Sequence, residues 1–200
     1  MRCQVIMAGV GGQGVLFASR VLSEAARRRC LGVLGSQSFG MAQRGGSVAV
    51  HLKIGDHEGP LIRHGHADLL LGFNGVEASR NIAFLRRSGA GAATGIVNIP
   101  DADIFPDPTL AGLLDSKGVR IYRCDADGVA VAIDNPRAAN LVLLGFAAGH
   151  EAFPFAIDEL RSTVETISSD CTRAGNLAAV ERGWALSPGR VRPVGSATDR

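Results

Sequence analysis

The chain is poor in aromatic residues and carries no concentration of charge of one sign. Phe, Trp and Tyr make up 5% of its 200 residues, and 21 Lys and Arg are mixed with 19 Asp and Glu, for a formal net charge of +2. With few aromatic side chains, the protein has little surface on which single-stranded bases could stack. A nucleic-acid-binding protein also gathers its basic residues into one patch, which the mixed charges here do not suggest. We therefore expect no nucleic-acid partner.

Cysteine and long apolar runs are also scarce. The four cysteines, Cys3, Cys30, Cys124 and Cys171, lie far apart in the sequence and form no C-x-x-C pair. This spacing indicates reduced, mostly buried thiols rather than disulfides, zinc ligands or a cradle for an iron–sulfur cluster. No apolar run reaches the length of a membrane span, and the N-terminus opens on a core strand rather than a signal sequence. A cytoplasmic protein without membrane contact is expected.

Glycine, in contrast, is abundant, and it concentrates in two segments. The first, AGVGGQGV at residues 8–15, follows the apolar run of residues 5–7. It precedes apolar residues at helical spacing, namely Val15, Ala18, Val21, Leu22, Ala25 and Ala26. The pattern predicts a strand, a tight turn and a helix. Such a turn directs backbone N–H groups toward the helix N-terminus, where an anion is favoured. The alternative is a turn that only packs the helix against the strand.

The glycines at positions 9, 11 and 14 also fit the G-x-G-x-x-G spacing of dinucleotide-binding folds, but the rest of that fingerprint is missing. A dinucleotide site needs an acidic residue about 20 residues further on, at the end of the second strand, to bind the ribose hydroxyls. The second strand is predicted at residues 31–34, and no Asp or Glu occurs between Glu24 and Asp56. G-K-[ST] is absent as well. We expect neither an NAD or FAD site nor a P-loop.

The rest of the chain alternates between strand and helix patterns. In Ser47–Ile54 the large apolar residues Val48, Val50, Leu52 and Ile54 alternate with small or polar ones, which predicts a half-buried strand followed by a turn and a short edge strand at residues 60–62. Further strands are predicted at 68–73, 94–99 and 119–123, and helices after Asn74 and at 136–148, 155–167 and 172–186.

These elements predict a three-layer α/β/α fold with a mostly parallel, mixed sheet and a Rossmann-like first βαβ unit. We expect a single domain over residues 1–186, a surface loop at 100–108 and a disordered tail at 187–200.

The second glycine-rich segment, FGMAQRGGS at residues 39–47, should lie beside the first turn, at the carboxyl end of the sheet where open α/β sheets bind ligands. Arg44 precedes two glycines whose backbone donors are unobstructed, and we hypothesise that it lies within reach of the first turn. An ordinary glycine-rich connection is the alternative. The predicted anion- or cofactor-binding surface, at an interface, comprises Gly11, Gly12, Gln13, Gly14, Gln43, Arg44, Gly45, Gly46 and Ser47.

We predict no catalytic residue and no metal site in this chain. His64 and His66 could be two metal ligands, but no third is evident in the sequence. His51 is expected on the outward face of its strand, as a surface or interface residue.

Four motifs together resemble the gamma-type subunit, or domain, of 2-oxoacid:ferredoxin oxidoreductases. They are GVGGQGV, GMAQRGGSV, NPRAANLVLLG and an N-x-x-A-x-x-x-G formed by Asn176, Ala179 and Gly183. GMAQRGGSV in particular resembles the beta subunit of indolepyruvate:ferredoxin oxidoreductase. The likeness extends from Cys3 to about Trp184.

The resemblance implies an accessory subunit of an enzyme that oxidatively decarboxylates a 2-oxoacid to an acyl-CoA and passes the electrons to ferredoxin. Thiamine diphosphate, Mg and iron–sulfur clusters are then expected on a large alpha subunit, because this chain has neither a cluster-type cysteine run nor the G-D-G…N motif of thiamine enzymes. By itself the chain should be inert, expose an apolar patch and self-associate, for example as a homodimer. The rival hypothesis is a free-standing nucleotide- or anion-binding sensor domain.

Three anions could face the two loops on this hypothesis: a phosphate of coenzyme A, the carboxylate of the 2-oxoacid, or a carboxylate or carbonyl of the partner chain. One departure concerns the substrate. Family members of this type often carry Glu-x-His directly before GMAQRGG, whereas Gln37, Ser38 and Phe39 stand here. If that position touches the substrate, the preferred acid differs from indolepyruvate. Phe39 and Phe17 are the apolar groups that could favour an aryl side chain, although Phe17 is expected in the core.

Overall fold

The protein is a six-stranded sheet with helices on both faces. The structure is a computed structural model that describes residues 1–40, 45–86, 93–99, 114, 116 and 118–187. The strands are β1 (Cys3–Val10), β2 (Val33–Phe39), β3 (Ser47–Ile54), β4 (Leu69–Gly72), β5 (Ala93–Asn98) and β6 (Val119–Cys124). The α-helices are α1 (Val15–Arg28), α2 (Gly75–Asn81), α3 (Ala126–Ala132), α4 (Ala139–Ala147), α5 (Ile157–Ile167) and α6 (Asp170–Leu186). Two 3-10 turns span Ile82–Phe84 and Pro136–Ala138.

The strand order is β2-β3-β1-β4-β5-β6, which confirms the predicted mixed α/β/α architecture. β1, β4, β5 and β6 are parallel, while β3 lies antiparallel between β1 and β2. β1 and β2 therefore point the same way, as in a βαβ unit, but β3 separates them. The chain leaves β1 toward one side of the sheet and β4 toward the other, so a topological switch point lies between these strands at their carboxyl ends.

The two faces of the sheet bury different residues because strand side chains alternate in direction. Val5 and Met7 of β1 belong to the larger core cluster, with α1 and α3 to α6, while Ile6 and Ala8 belong to the smaller one, with α2. Every apolar residue predicted on the buried stripe of α1 is buried. Burial of a side chain such as Leu22 contributes about 2 kcal/mol, so this stripe holds α1 on the sheet.

The end of α1 is fixed by its arginines and by the turn that follows. Cys30 adopts a left-handed conformation, with φ 55°, and the Leu31 N–H donates to the Ala26 carbonyl at 3.0 Å, which closes the last turn. Arg28 donates to two hydroxyl groups of α5, and Arg29 forms an ion pair with Glu159 of the same helix. The basic end of α1 therefore joins the two helices.

Three local predictions were wrong. β2 begins at Val33 and continues to Phe39, because each of its residues pairs with β3, and this pairing overrides the weak strand propensity of Gly and Ser. No strand forms at residues 60–62; the Ile62 N–H donates instead to Nδ1 of His51, at 3.1 Å. Helix α3 was missed, and it begins where the Asp125 side chain accepts the Gly128 N–H at 2.9 Å.

Other predictions hold or lie outside the described residues. The strands near 69–72, 93–98 and 119–124 and the last three helices are confirmed, with small shifts of their ends. The loop at 100–108 and positions 188–200 fall outside the described ranges. None of the helices described is long and apolar enough to cross a membrane.

Two motifs of the sequence meet where α4 crosses α6. A β-carbon on Gly183 would lie 1.9 Å from the carbonyl oxygen of Val142, and one on Gly145 would lie 2.1 Å from that of Val180. The backbones of the two helices are therefore in direct contact, and Ala179 is fully buried between them. NPRAANLVLLG and N-x-x-A-x-x-x-G are thus partners in a helix crossing that only small residues permit.

Two imidazoles, the buried His150 and the half-buried His51, should make the fold sensitive to acid. Burial lowers the pKa of His150, which packs on Tyr122, and burial with the nearby Lys53 charge lowers the pKa of His51. In the unfolded chain these two histidines bind protons near pH 6.5, whereas in the folded chain they bind protons only at lower pH. The free energy of unfolding should therefore fall as pH drops below about 6.5. Urea titrations between pH 8 and 5 measure this slope.

His150→Phe should reduce the slope, and Val131→Thr, an exposed substitution without a titratable group, should leave it unchanged. Equal slopes for the native chain and His150→Phe would contradict the assignment.

Candidate functional site

The first glycine turn joins β1 to α1 in a conformation that its glycines make possible. Gly12 and Gly14 have φ values of 104° and 74°, in the region that favours glycine. The turn is closed by Gln13, whose backbone N–H donates to the Val10 carbonyl at 3.1 Å and whose side-chain oxygen accepts the Val10 N–H at 2.9 Å. The side-chain oxygen of Gln13, a predicted ligand contact, is therefore engaged within the turn itself.

The N-terminus of α1 is open. Its N-cap residue is Gly14, no side chain in the described part of the chain caps it, and its first turn contains no acidic residue. Backbone N–H groups in the first turn of a helix have no intrahelical acceptor, and they carry the positive end of the helix dipole. This end of the helix can accept an anion.

The two glycine-rich segments meet, as their positions in the sequence predicted. The Gly11 N–H donates to the Gly46 carbonyl at 2.9 Å, directly linking the first turn to the segment that leads into β3. Gly45 has φ 70°, again in the glycine-favoured region. We call residues 11–14 and 45–47 the joined loops. Gln43 and Arg44 lie outside the described residues, so the hypothesis that Arg44 reaches the first turn stays a prediction.

Ser47 makes a contact that the sequence did not reveal. Its hydroxyl donates to Oε2 of Glu77 at 2.6 Å, and Oε1 of the same carboxylate accepts from Arg80 at 2.6 Å. Glu77 stands three residues after the helix cap Asn74, the spacing of a capping box, but its carboxylate reaches across to β3. This spacing was the sequence signal that could have drawn attention to Glu77. It predicts a helix cap, however, and not a contact with Ser47.

Two cavities flank the first glycine turn, which joins β1 to α1. One, of about 370 Å³, is lined mainly by apolar side chains that include Val10, Leu16, Phe39 and Val48. Leu16 and Phe39 are 41% and 60% exposed, and because they line the same cavity they form an exposed apolar patch rather than isolated surface residues. Phe17, in contrast, packs against the core, as expected.

The other cavity, of about 380 Å³, opens at the switch point between β1 and β4. Its lining is more polar than that of the first cavity and includes Gln13, Asn98, Asp127, Arg137 and Asn140. Asn140 of α4 donates to the Gly14 carbonyl at 3.3 Å, and a β-carbon on Gly14 would overlap that amide group. The NPRAAN segment therefore packs directly on the turn, as a third chain segment at the site.

The remaining candidates do not gather into a site. His64 packs against the Phe84 ring, and within the described residues no three His, Cys, Asp or Glu side chains are placed to hold a metal ion. None of the four cysteines forms a disulfide; Cys3 and Cys124 are buried, but Cys30 and Cys171 are exposed, so the prediction of mostly buried thiols holds for half of them. Burial raises the pKa of Cys3 to about 12, so this thiol stays protonated.

The fold and the site define a class: an α/β protein with two glycine-rich segments joined at the carboxyl edge of a mixed sheet, beside an open helix N-terminus. The chain belongs to the pyruvate ferredoxin/flavodoxin oxidoreductase family, whose sequence profile matches residues 4–186. It is 32% identical over 196 residues to the indolepyruvate oxidoreductase subunit IorB of Archaeoglobus fulgidus, covering 92% of this chain and 94% of that protein.

Solved structures share the fold at lower identity. The pyruvate oxidoreductase subunit PORC of Thermotoga maritima superposes with a TM-score of 0.70 at 19% identity, covering 92% of this chain and 96% of that one. The 2-oxoglutarate:ferredoxin oxidoreductase of Magnetococcus marinus, solved with 2-oxoglutarate, coenzyme A and succinyl-CoA, gives a TM-score of 0.71 at 21% identity. The match covers 96% of this chain but 33% of that longer chain, so the protein corresponds to one part of it.

Proposed function

We propose that this chain is the cluster-free subunit of a cytoplasmic 2-oxoacid:ferredoxin oxidoreductase of the indolepyruvate, or arylpyruvate, type. The observation that carries the proposal is the nearly full-length similarity to an IorB subunit at 32% identity. The complex would decarboxylate a 2-oxoacid, form an acyl-CoA and deliver electrons to ferredoxin.

The chemistry of decarboxylation belongs to the partner in this proposal. Thiamine diphosphate and Mg²⁺ would hold the reacting carbon and iron–sulfur clusters would carry the electrons, all on a large alpha subunit. Among the described residues, no three His, Cys, Asp or Glu side chains are placed to hold a metal ion. This part of the chain therefore does not fit Mg²⁺ or an iron–sulfur cluster. We therefore assign no step of the reaction to a residue of this chain.

The contribution of this chain would be a binding surface at the carboxyl edge of its sheet. The open N-terminus of α1 and the joined loops favour an anion: a phosphate of coenzyme A, the carboxylate of the 2-oxoacid, or a carboxylate or carbonyl of the partner. Large exposed apolar residues surround them, with Leu16 in the first turn of α1, Phe39 at the end of β2 and Val76 in the first turn of α2. An exposed apolar patch bordered by polar groups is typical of a protein interface.

Co-expression with the large subunit tests this proposal. We expect a stable complex that reduces ferredoxin, or a dye in its place, with arylpyruvates and coenzyme A in preference to pyruvate and 2-oxoglutarate. The isolated chain should be inert and should self-associate through the apolar edge. A chain that forms no complex, yet binds a nucleotide or another anion alone, would instead support a free-standing sensor domain.

Arg44→Ala tests the role of the joined loops. If Arg44 and the open end of α1 face one anion, the loss of a charge-assisted hydrogen bond should weaken assembly or turnover by about 1.5–3 kcal/mol, with little change in thermal stability. Arg44→Lys should recover part of the loss, because a point charge cannot replace a bidentate fork. Arg182→Ala, at an exposed position of α6, is the control. Unchanged assembly and turnover in Arg44→Ala would refute this site assignment.

A further inference from the structure

A carboxylate is buried directly behind the joined loops. The side chain of Glu77 is 5% exposed, although it is ionisable and its helix begins at the surface edge of the sheet. Its two oxygens accept one hydrogen bond each, from the Ser47 hydroxyl and from the Arg80 guanidinium, both at 2.6 Å. A charged group withdrawn from water is tolerated only when its hydrogen-bonding capacity is satisfied in this way.

Ser47 is the residue through which this carboxylate can control the loops. The Ser47 carbonyl accepts the Gly40 N–H at 2.7 Å, and the carbonyl of the preceding residue, Gly46, accepts the Gly11 N–H at 2.9 Å. Residues 40 and 45 flank the segment that contains Arg44. The hydroxyl of Ser47 therefore anchors to α2 the point where both sides of that segment and the first glycine turn come together.

We propose that Glu77 is a positioning residue: its carboxylate fixes Ser47, and through Ser47 it holds the Gly46 carbonyl against the Gly11 amide. The effect of this positioning on the enzyme rests on the proposed function of the joined loops. The positioning itself can be measured on the full chain without any ligand, so a failure of this inference can be distinguished from a failure of the proposed function.

Glu77→Met removes the charge and both acceptor oxygens while nearly preserving the length of the side chain. It also offers no N–H from which the Ser47 hydroxyl could accept, as an amide would, so Ser47 loses its partner on α2. The Arg80 side chain is 64% exposed, so its guanidinium can turn to water. Hydrogen exchange at the Gly11 amide should then become about tenfold faster, since the loss of one hydrogen bond to a charged group is of that size. Ser47→Ala should give the same acceleration, and the two substitutions together should add little to either alone.

Arg80→Ala separates positioning of Ser47 from pairing with Arg80. It removes the ion pair but leaves the hydrogen bond between Ser47 and Glu77, so exchange at Gly11 should stay slow. If Glu77 served only to pair with Arg80, Arg80→Ala would accelerate exchange at Gly11 as much as Glu77→Met. Glu24→Met is the matched control, because Glu24 and Arg27 form an exposed pair at the same spacing on α1; Gly11 exchange should not change.

The assembled enzyme gives the functional readout. Removing a buried negative charge beside an anion site would, by Coulomb's law alone, strengthen the binding of an anion. Positioning predicts the opposite, a severalfold weaker assembly or a severalfold higher KM for the anionic substrate in both Glu77→Met and Ser47→Ala. Unchanged Gly11 exchange in both variants overturns the proposal. Faster exchange with unaltered assembly and KM supports positioning by Glu77 and overturns the proposed function of the loops.

Discussion

Gly183→Ala is expected to destabilise the protein by about 3 kcal/mol, even though alanine is the better helix former. In an exposed helix the substitution would stabilise by about 1 kcal/mol, because it reduces the entropy of the unfolded chain. Here the new β-carbon would lie 1.9 Å from the carbonyl oxygen of Val142, and that atom belongs to the backbone of α4, which cannot rotate away. The helices must separate, and the packing around Ala179 and Val180 is lost. Thermal and urea denaturation measure the effect.

Gly175→Ala is the matched control, since it makes the same substitution in the same helix. Its β-carbon would lie 2.9 Å from Nδ2 of Asn135, the far end of a side chain that can move. We expect a neutral or slightly stabilising change there. Similar changes in stability for Gly183→Ala and Gly175→Ala would contradict the role of the helix crossing.

Gly14→Ala should cost about 3 kcal/mol and disrupt the joined loops at the same time. Gly14 has φ 74°, which strains any residue with a β-carbon, and that carbon would lie 2.2 Å from Nδ2 of Asn140. Asn140 is buried, unlike the half-exposed Asn135, so its amide has little room to turn aside. The turn or α4 must therefore shift, and either movement disturbs the open end of α1. We expect a lower thermal midpoint together with lost assembly in co-expression.

Two further variants separate backbone strain from overlap. Gly12 has φ 104° with open space around its β-carbon position, so Gly12→Ala should show the strain alone, about 1–2 kcal/mol. Adding Asn140→Ala to Gly14→Ala should recover part of the loss, and the two changes should not be additive. If Gly12→Ala and Gly14→Ala are equally destabilising, contact with Asn140 is not the cause.

The beginning of the fold was determined by the sequence itself. The apolar run at residues 5–7, the glycines and the helical spacing from Val15 to Ala26 lie next to one another along the chain. Their local preferences, left-handed turn conformations and an amphipathic stripe, require no knowledge of distant residues. The meeting of the two glycine-rich segments was also predictable, because β1 ends and β3 begins at the same edge of the sheet.

The tertiary structure decided which segments are neighbours. β3 lies antiparallel between β1 and β2, and the length of β2 follows from pairing with β3 rather than from its own Gly and Ser residues. Ser47 meets a carboxylate 30 positions further along, and Asn140 reaches a carbonyl 126 positions before it. The glycines of α4 and α6 are required because two backbones cross there.

Hydrophobic periodicity and secondary-structure propensity describe the conformation that a segment prefers by itself. Which carboxylate faces which hydroxyl, or which helix presses on a glycine, depends on how whole elements pack, and no local pattern encodes that contact. For this reason the glycine turn could be predicted from the sequence, whereas Glu77, its neighbour in space, could not.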